Sequence, residues 1–168
     1  MFLLNPYYYP YYPYRVNNWG QILNLLQQSL YAEEMVCAMS SELFHIPETK
    51  DLKGNAEMHN HLVPASYHRV TAVGSAQRLV NGEQRQSIID TMAACIINAE
   101  NQDRKVRDGL ITMEENAGPE YKAFINVIIK WQEQAENYLA QAKESLRTMG
   151  VSFPSAGSEQ QDGEDNLY

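Results

Sequence analysis

Apolar residues recur every three or four positions along four segments of the chain, and this spacing predicts four amphipathic α-helices. The first segment begins after Asn17 and Asn18, which can cap a helix, and it ends near Ile46, where the residues PET interrupt the pattern. Its apolar face is predicted to carry Trp19, Ile22, Leu23, Leu26, Leu30, Cys37, Leu43 and Phe44.

The other three helices are predicted at residues 65–80, 83–116 and 119–149. Residues 47–65 show no clean period and contain Gly54 and Pro64, so they are interpreted as a short helix or an irregular crossover. Asn81 and Gly82 end the second helix, and the NAGPE segment separates the third from the fourth. The inward residues of the second helix are predicted to be Val70, Val73, Ala76, Leu79 and Val80.

No segment alternates between apolar and polar residues as a strand does, so the fold class is predicted to be all-α. Long amphipathic helices joined mostly by short turns favour an antiparallel four-helix bundle, and 168 residues suffice for one domain with a sizeable core. The predicted organisation is an extended Tyr/Pro-rich arm at 1–16, a bundle domain at 17–150 and a flexible acidic tail at 151–168. Within the tail, residues 151–154 could fold back on the bundle.

The charge balance limits the classes of partner. The chain has 13 Lys and Arg against 21 Asp and Glu, and no basic run offers a footprint for phosphates. Neither nucleic acid nor an anionic membrane is an expected partner, whereas cations and proteins are. No signal-peptide pattern and no long apolar run occur, which predicts a cytoplasmic protein. Cys37 and Cys95 each fall inside a predicted helix and are expected to be reduced thiols in the core.

One carboxylate interrupts the apolar face of the first helix. At about 100° per residue, Glu33 points towards the middle of that face and Glu34 towards its edge. Burying a lone carboxylate is costly unless it is paired with a cation, protonated or bound to a metal. Glu33 therefore requires a partner from elsewhere in the molecule.

Further candidate ligands occur in the later segments. Asp103 lies near the centre of the apolar face of the third helix, and Glu100 lies at its edge. Gln132 and Glu136 flank the apolar face of the fourth helix. In the crossover, Glu57, His59 and His61 fall within five residues of one another. Carboxylates from several helices together with imidazole are the ligands of a di-iron or di-manganese centre. The predicted metal ligands are Glu33, Glu57, His61, Glu100, Asp103 and Glu136.

An alternative interpretation needs no metal. A single acidic residue on a helix face often lies at a solvated or salt-bridged position, and Arg85, Arg104 or Arg107 could pair with Asp103. His45 and His68 are better explained as surface or helix-cap residues. The chain has no G-x-G-x-x-G, P-loop, H-E-x-x-H, G-x-S-x-G or C-x-x-C motif, so nucleotide-binding, zinc-protease, serine-hydrolase and dithiol functions have no motif behind them.

The first helix, ILNLLQQSLYAEEMVCAMSSEL, resembles the opening helix of ferritin-like and rubrerythrin-like proteins, which carries a core glutamate midway along. The resemblance covers residues 17–149 in architecture and implies two iron or manganese ions that react with oxygen or peroxide. In that family the second and fourth helices usually each bring a Glu-x-x-His. Here EMHNH places Glu57 and His61 four residues apart, and the fourth helix has no histidine. Because the Glu-x-x-His motifs are missing, the alternative is a helical bundle that has the same fold but binds no metal.

The N-terminal segment carries a second resemblance. Six tyrosines and three prolines lie within the first 16 residues, and NPYYYPYYPY resembles tyrosine-rich segments of spore-coat and spore-associated proteins. Clustered tyrosines offer a large contact area, so the arm is expected to bind protein partners or to mediate self-association. Two functions follow from the sequence: a metal-dependent bundle that handles iron and oxygen, or a metal-free structural or interaction protein of a spore coat or other multimeric assembly. Both an enzyme and a non-enzymatic protein remain open at this point.

Overall fold

The computed structural model describes residues 18–154, and all of the regular structure in that range is α-helical. The predicted arm and the tail beyond residue 154 lie outside the described residues. The helices are α1 (Trp19–His45), α2 (Pro47–Lys50), α3 (Asn55–Val80), α4 (Gln86–Asn116) and α5 (Pro119–Thr148). The prediction of an all-α fold is therefore confirmed for this part of the chain.

Helix ends mostly follow the capping residues identified in the sequence. Asn18 caps α1, and its side-chain oxygen accepts a hydrogen bond from the backbone N–H of Gln21 at 3.1 Å. Pro119 lies in the first turn of α5, where its missing N–H breaks no helical hydrogen bond. α4 and α5 end within three residues of the predicted boundaries.

The second long helix starts ten residues earlier than predicted, at Asn55 instead of residue 65. The sequence shows no clean helical period around Gly54 and Pro64, but Gly54 precedes the helix with a φ of 94° and Pro64 lies inside it. The carbonyl of Asn60 loses its helical donor at Pro64, and because Asn60 is exposed, solvent can replace that hydrogen bond. The rest of the crossover contains α2, where the Thr49 hydroxyl donates to the carbonyl of Leu43 at 2.7 Å.

The inward face of α3 also differs from the prediction. Val70 and Val80 are exposed, although their hydrophobicity suggested core positions. Small and polar side chains occupy much of the inward face instead. The buried residues at alternating spacings of three and four are Leu62, Ala65, Arg69, Ala72, Ala76 and Leu79. The inward face of α1 is also rotated relative to the predicted face. Phe44 is exposed, and Ser29, Ala32 and Ser40 are buried, while Glu33 is buried as predicted.

The four long helices pack in a cyclic order, with α3 against α4, α4 against α5, α5 against α1 and α1 against α3. Two apolar clusters fill the interior. One contains Trp19, Leu79, Ile88 and Leu146, and the other contains Leu43, Met58, Met113 and Ile125. The polar residues Ser29, Glu33, Arg69, Asp103 and Gln132 fall between the two clusters along their helices. The interior therefore has an apolar cluster on each side of a polar layer.

α3 and α4 approach each other closely at Gly109. A methyl group added there would lie 2.8 Å from Cβ of Met58 and 3.0 Å from the carbonyl oxygen of Gly54. Both distances are shorter than the van der Waals contact that carbon atoms tolerate. Glycine at position 109 thus permits the close packing of the two helices.

Gly109→Ala is therefore expected to lower the free energy of unfolding by about 1–3 kcal/mol, the usual cost of overpacking, despite the higher helix propensity of alanine. Gly20→Ala is the control, because Gly20 lies in α1 with no atom within 4 Å of the added methyl group. The control should gain up to about 1 kcal/mol from helix propensity. Urea unfolding of both variants measures the difference, and equal effects would contradict the close approach.

Residues 151–154 fold back on the helices, as predicted. Val151 and Phe153 pack against the apolar cluster that contains Trp19, and the backbone N–H of Val151 donates to the carbonyl of Leu146. The side chains of Lys143 and Arg147 lie 5.7 Å from the centre of the Phe153 ring. None of the helices between residues 18 and 154 combines the length and the apolar character needed to cross a membrane.

Candidate functional site

The partner that Glu33 requires is Arg69 of α3. The side chains of Glu33, Arg69 and Asp103 belong to three different helices, and each residue is at most 1% exposed to solvent. Ser29, one turn before Glu33 on α1, completes the group. These four residues are called the Arg69 cluster below.

The guanidinium of Arg69 is held by hydrogen bonds on two of its sides. Nη1 donates to Oδ1 of Asp103 at 2.9 Å and Nη2 donates to Oδ2 at 2.7 Å, which is the bidentate geometry of a strong ion pair. Nε donates to the hydroxyl of Ser29 at 2.9 Å, and that hydroxyl donates onward to the carbonyl of Ala135 in α5 at 2.7 Å. The cluster therefore links α1, α3, α4 and α5.

Glu33 interacts more weakly with Arg69 than Asp103 does. Its Oε2 lies 3.5 Å from Nη1 of Arg69, but neither of its oxygens accepts a hydrogen bond from the described residues. The pKa of Glu33 is raised from an ordinary 4.5 to about 7, chiefly because burial disfavours the charged form. The attraction of Arg69 lowers this pKa, and the nearby carboxylates of Asp103 and Glu136 raise it. Glu33 thus exchanges a proton near neutral pH inside the protein.

Arg69 itself stays charged. Burial alone would lower its pKa, but the attraction of Asp103 and Glu33 and the hydrogen bonds that Arg69 donates to Asp103 outweigh burial and raise the pKa of Arg69 above its ordinary value. One buried cation therefore faces two carboxylates. Because Asp103 holds the guanidinium by two hydrogen bonds and Glu33 by none, Asp103 is the principal counterion.

Glu136 of α5 lies at the outer side of the cluster. Its Oε2 accepts a hydrogen bond from Arg107, and its Oε1 accepts one from Nε2 of Gln132 at 3.3 Å. Burial raises the pKa of Glu136, with Arg107 and Gln132 acting in the opposite direction. A pocket of about 280 Å³ opens beside this residue. Its lining residues are Glu100, Asp103, Arg104, Arg107, Glu136 and Ala140.

The remaining predicted ligands lie apart from Arg69 or have other partners. Glu100 accepts a hydrogen bond from Nζ of Lys143. Glu57 is exposed near the start of α3. Nδ1 of His61 lies 2.7 Å from Oε1 of Gln102, which is a hydrogen bond to α4. His59 instead packs its ring 3.9 Å from the ring of Phe44, and burial lowers its pKa.

The residues that meet at this site do not fit a two-metal centre. Such a centre needs carboxylate oxygens that are free to bridge cations, together with imidazole. Both oxygens of Asp103 bind Arg69, the carboxylates of Glu100 and Glu136 bind Lys143 and Arg107, and no histidine hydrogen-bonds to the cluster. Within residues 18–154, no three His, Cys, Asp or Glu side chains form a group that could hold a metal ion.

Comparison with known proteins gives no family assignment. No protein-family model, curated protein or solved structure matches this chain. The interpretation of the site therefore depends on its own geometry.

Arg69 and Ser29 are the two residues of the cluster that the sequence pattern did not single out. The signal was present: Arg69 is three residues before Ala72, four after Ala65 and seven before Ala76, and so it shares their helix face. The predicted inward face was defined by the more hydrophobic Val70 and Val73, and it therefore lies too far round the helix. For the same reason, the predicted pairing of Asp103 with Arg85, Arg104 or Arg107 is wrong, and Asp103 pairs with Arg69.

Proposed function

We propose that this chain is a metal-free structural or interaction protein in which Arg69 supplies the positive charge that the inward carboxylates require. The observation that carries this proposal is the bidentate hydrogen bonding of Arg69 to Asp103, with Glu33 at 3.5 Å on the same guanidinium. An internal cation compensates these carboxylates without an external ion, because two of its donors meet Asp103 and its charge also faces Glu33.

The arrangement of helices supports an antiparallel four-helix bundle as the scaffold. Each long helix packs against two others, and the connections between α3 and α4 and between α4 and α5 are short. A buried polar layer that joins all four long helices would fix their register, as single polar core positions do in other helical assemblies. In this proposal the Arg69 cluster has a structural role.

The interaction role has separate support from the surface of α3. Val63, Tyr67 and Val70 are large apolar side chains that stay exposed on one side of this helix. Apolar side chains that group on a surface commonly mark a contact site. A place in a spore coat or another multimeric assembly, which the tyrosine-rich arm suggested, agrees with such a surface.

The metal content of the protein distinguishes this proposal from the predicted di-iron or di-manganese centre. The contacts of the Arg69 cluster do not support such a centre. The full chain is purified without chelator, and its metals and thermal unfolding are measured anaerobically with and without ferrous or manganous ions. We expect less than one equivalent of metal and an unchanged melting temperature, because a cation that binds only the folded state would raise it.

About two ions per chain together with a raised melting temperature would contradict the proposal. Two substitutions then locate the ions. Glu33→Gln alters the buried cluster, whereas Glu57→Gln alters a predicted ligand that is exposed on α3. Metal binding that is lost only in Glu33→Gln would identify the cluster as a metal site.

A further inference from the structure

One side of α3 presents an exposed apolar strip. Val63, Tyr67 and Val70 are 75%, 66% and 55% exposed, and their spacing of four and three residues puts them on one line along the helix. Gly74, one turn further, is also exposed and has open space around its Cα. These four residues are called the α3 strip.

The stretch of α3 that carries the strip has no exposed acidic or basic side chain other than histidine. Between Met58 and Gln77 the only Asp, Glu, Lys or Arg is Arg69, which is buried. The outer surfaces of α4 and α5, by contrast, carry exposed charges such as Lys105, Asp108, Lys130 and Glu133. A ligand of this strip would therefore be uncharged and rich in aromatic or aliphatic groups.

The chain contains a segment with that chemistry. Residues 1–14 hold six tyrosines, three prolines, Phe2 and two leucines, with no Asp, Glu, Lys or Arg. Proline-rich segments favour the polyproline II conformation and bind aromatic surfaces with a small loss of entropy. The arm and the α3 strip thus match in polarity and in the type of contact.

The arm is also attached close enough to reach the strip. It leaves α1 before Trp19, which shares an apolar cluster with Leu79 near the end of α3. At a rise of about 1.5 Å per residue, Val63 lies about 24 Å from Leu79 along the helix axis. The 17 residues before Asn18 span about 50 Å in a polyproline II conformation. A short tether of this kind gives the arm an effective concentration in the millimolar range at the α3 strip.

We propose that residues 1–16 dock along the α3 strip of the same molecule. The aromatic rings of the arm cover Val63, Tyr67 and Val70, and the absence of a side chain at Gly74 lets the arm pass close to the helix. This contact involves neither the Arg69 cluster nor a metal ion, so its test is independent of the structural role and the metal-free state proposed above. It uses the same exposed residues of α3 that support the interaction role.

NMR spectra of valine methyl groups test the docking directly. The full chain is compared with a variant that lacks residues 1–15, and the methyl signals of Val63 and Val70 are assigned by substitution. In the full chain we expect nuclear Overhauser effects from tyrosine rings of the arm to these methyl groups and an upfield ring-current shift. Both should vanish in the truncated chain. Val127, which is 42% exposed on α5, is the internal control and should not change.

A pair of charge substitutions sharpens the test. Val70→Asp places a carboxylate in the strip and should move the Val63 methyl signals to their positions in the truncated chain. Val127→Asp adds the same charge on α5 and should leave them in place. Circular dichroism verifies that both variants are folded. Identical Val63 and Val70 signals in the full and truncated chains would overturn the proposal. Shifts that grow with protein concentration would overturn it too, because they would identify a second copy as the source of the arm.

Discussion

Replacing Arg69 by methionine is expected to destabilise the protein by about 3–5 kcal/mol, because two buried carboxylates lose their cation. Asp103 would lose both of its hydrogen bonds to the guanidinium, and Ser29 would lose the donor Nε. A domain of this size is typically stable by only about 5–15 kcal/mol, so the loss is a large fraction of the total. Urea unfolding followed by circular dichroism measures it.

A second arginine on the same helix provides the control. Arg78 near the end of α3 pairs with Glu83, and about half of each side chain is exposed. Exposed pairs of this kind contribute little because solvent screens them. Arg78→Met should therefore leave the unfolding midpoint nearly unchanged. Similar effects of the two substitutions would contradict the role assigned to Arg69.

Replacing Glu33 by glutamine is expected to stabilise the protein, by an amount that grows with pH. The pKa of Glu33 is about 7 in the folded protein, against 4.5 for an ordinary glutamate, so the folded state holds the proton more tightly than the unfolded chain. The wild type is therefore favoured at low pH and loses stability as the pH rises from about 4.5 through 7. Glutamine stays neutral at every pH and avoids this loss.

The expected size follows from the same two values. Between pH 5 and pH 8 the wild type should lose about 2–3 kcal/mol relative to Glu33→Gln, with the largest part of the change below pH 7. Arg69, Asp103 and Glu136 face position 33 in both proteins, so the comparison isolates the change of that one side chain. Unfolding at several pH values measures the difference. A variant that is less stable than the wild type at pH 8 would show that ionised Glu33 is a favourable partner of Arg69.

The periodic pattern of the sequence predicted the apolar helix faces well where large side chains define them. In α4, Ile88, Met92, Ile96, Val106 and Leu110 are buried as expected, and Asp103 lies among them. In α5 the burial of Ile128, Leu139 and Leu146 likewise follows from their spacing. Large apolar residues at helical spacing have one arrangement that removes them from water, so the sequence determines the face directly.

The same pattern failed in α3 because small and polar side chains, among them three alanines, occupy much of its inward face. Ala65, Ala72 and Ala76 bury little area, whereas Val63 and Val70 are more hydrophobic and remain outside. The position of Arg69 depends on close packing with α1 and α4 and on the carboxylates that those helices bring. Such contacts between distant segments are a tertiary property, and helix periodicity alone does not contain them. Glu33 could be recognised as a residue in need of a partner, but the partner could not be named.

A double-mutant cycle between Arg69 and Asp103 tests the central claim, that an internal arginine neutralises the inward carboxylates. The free energies of unfolding of the wild type, Arg69→Met, Asp103→Leu and the double variant are measured at pH 6, where most of Glu33 is protonated and contributes little charge. The account predicts a coupling of at least about 2 kcal/mol, with the double variant more stable than the sum of the single effects implies, because removing both partners leaves neither charge unpaired. Effects that add to within about 0.5 kcal/mol would contradict it.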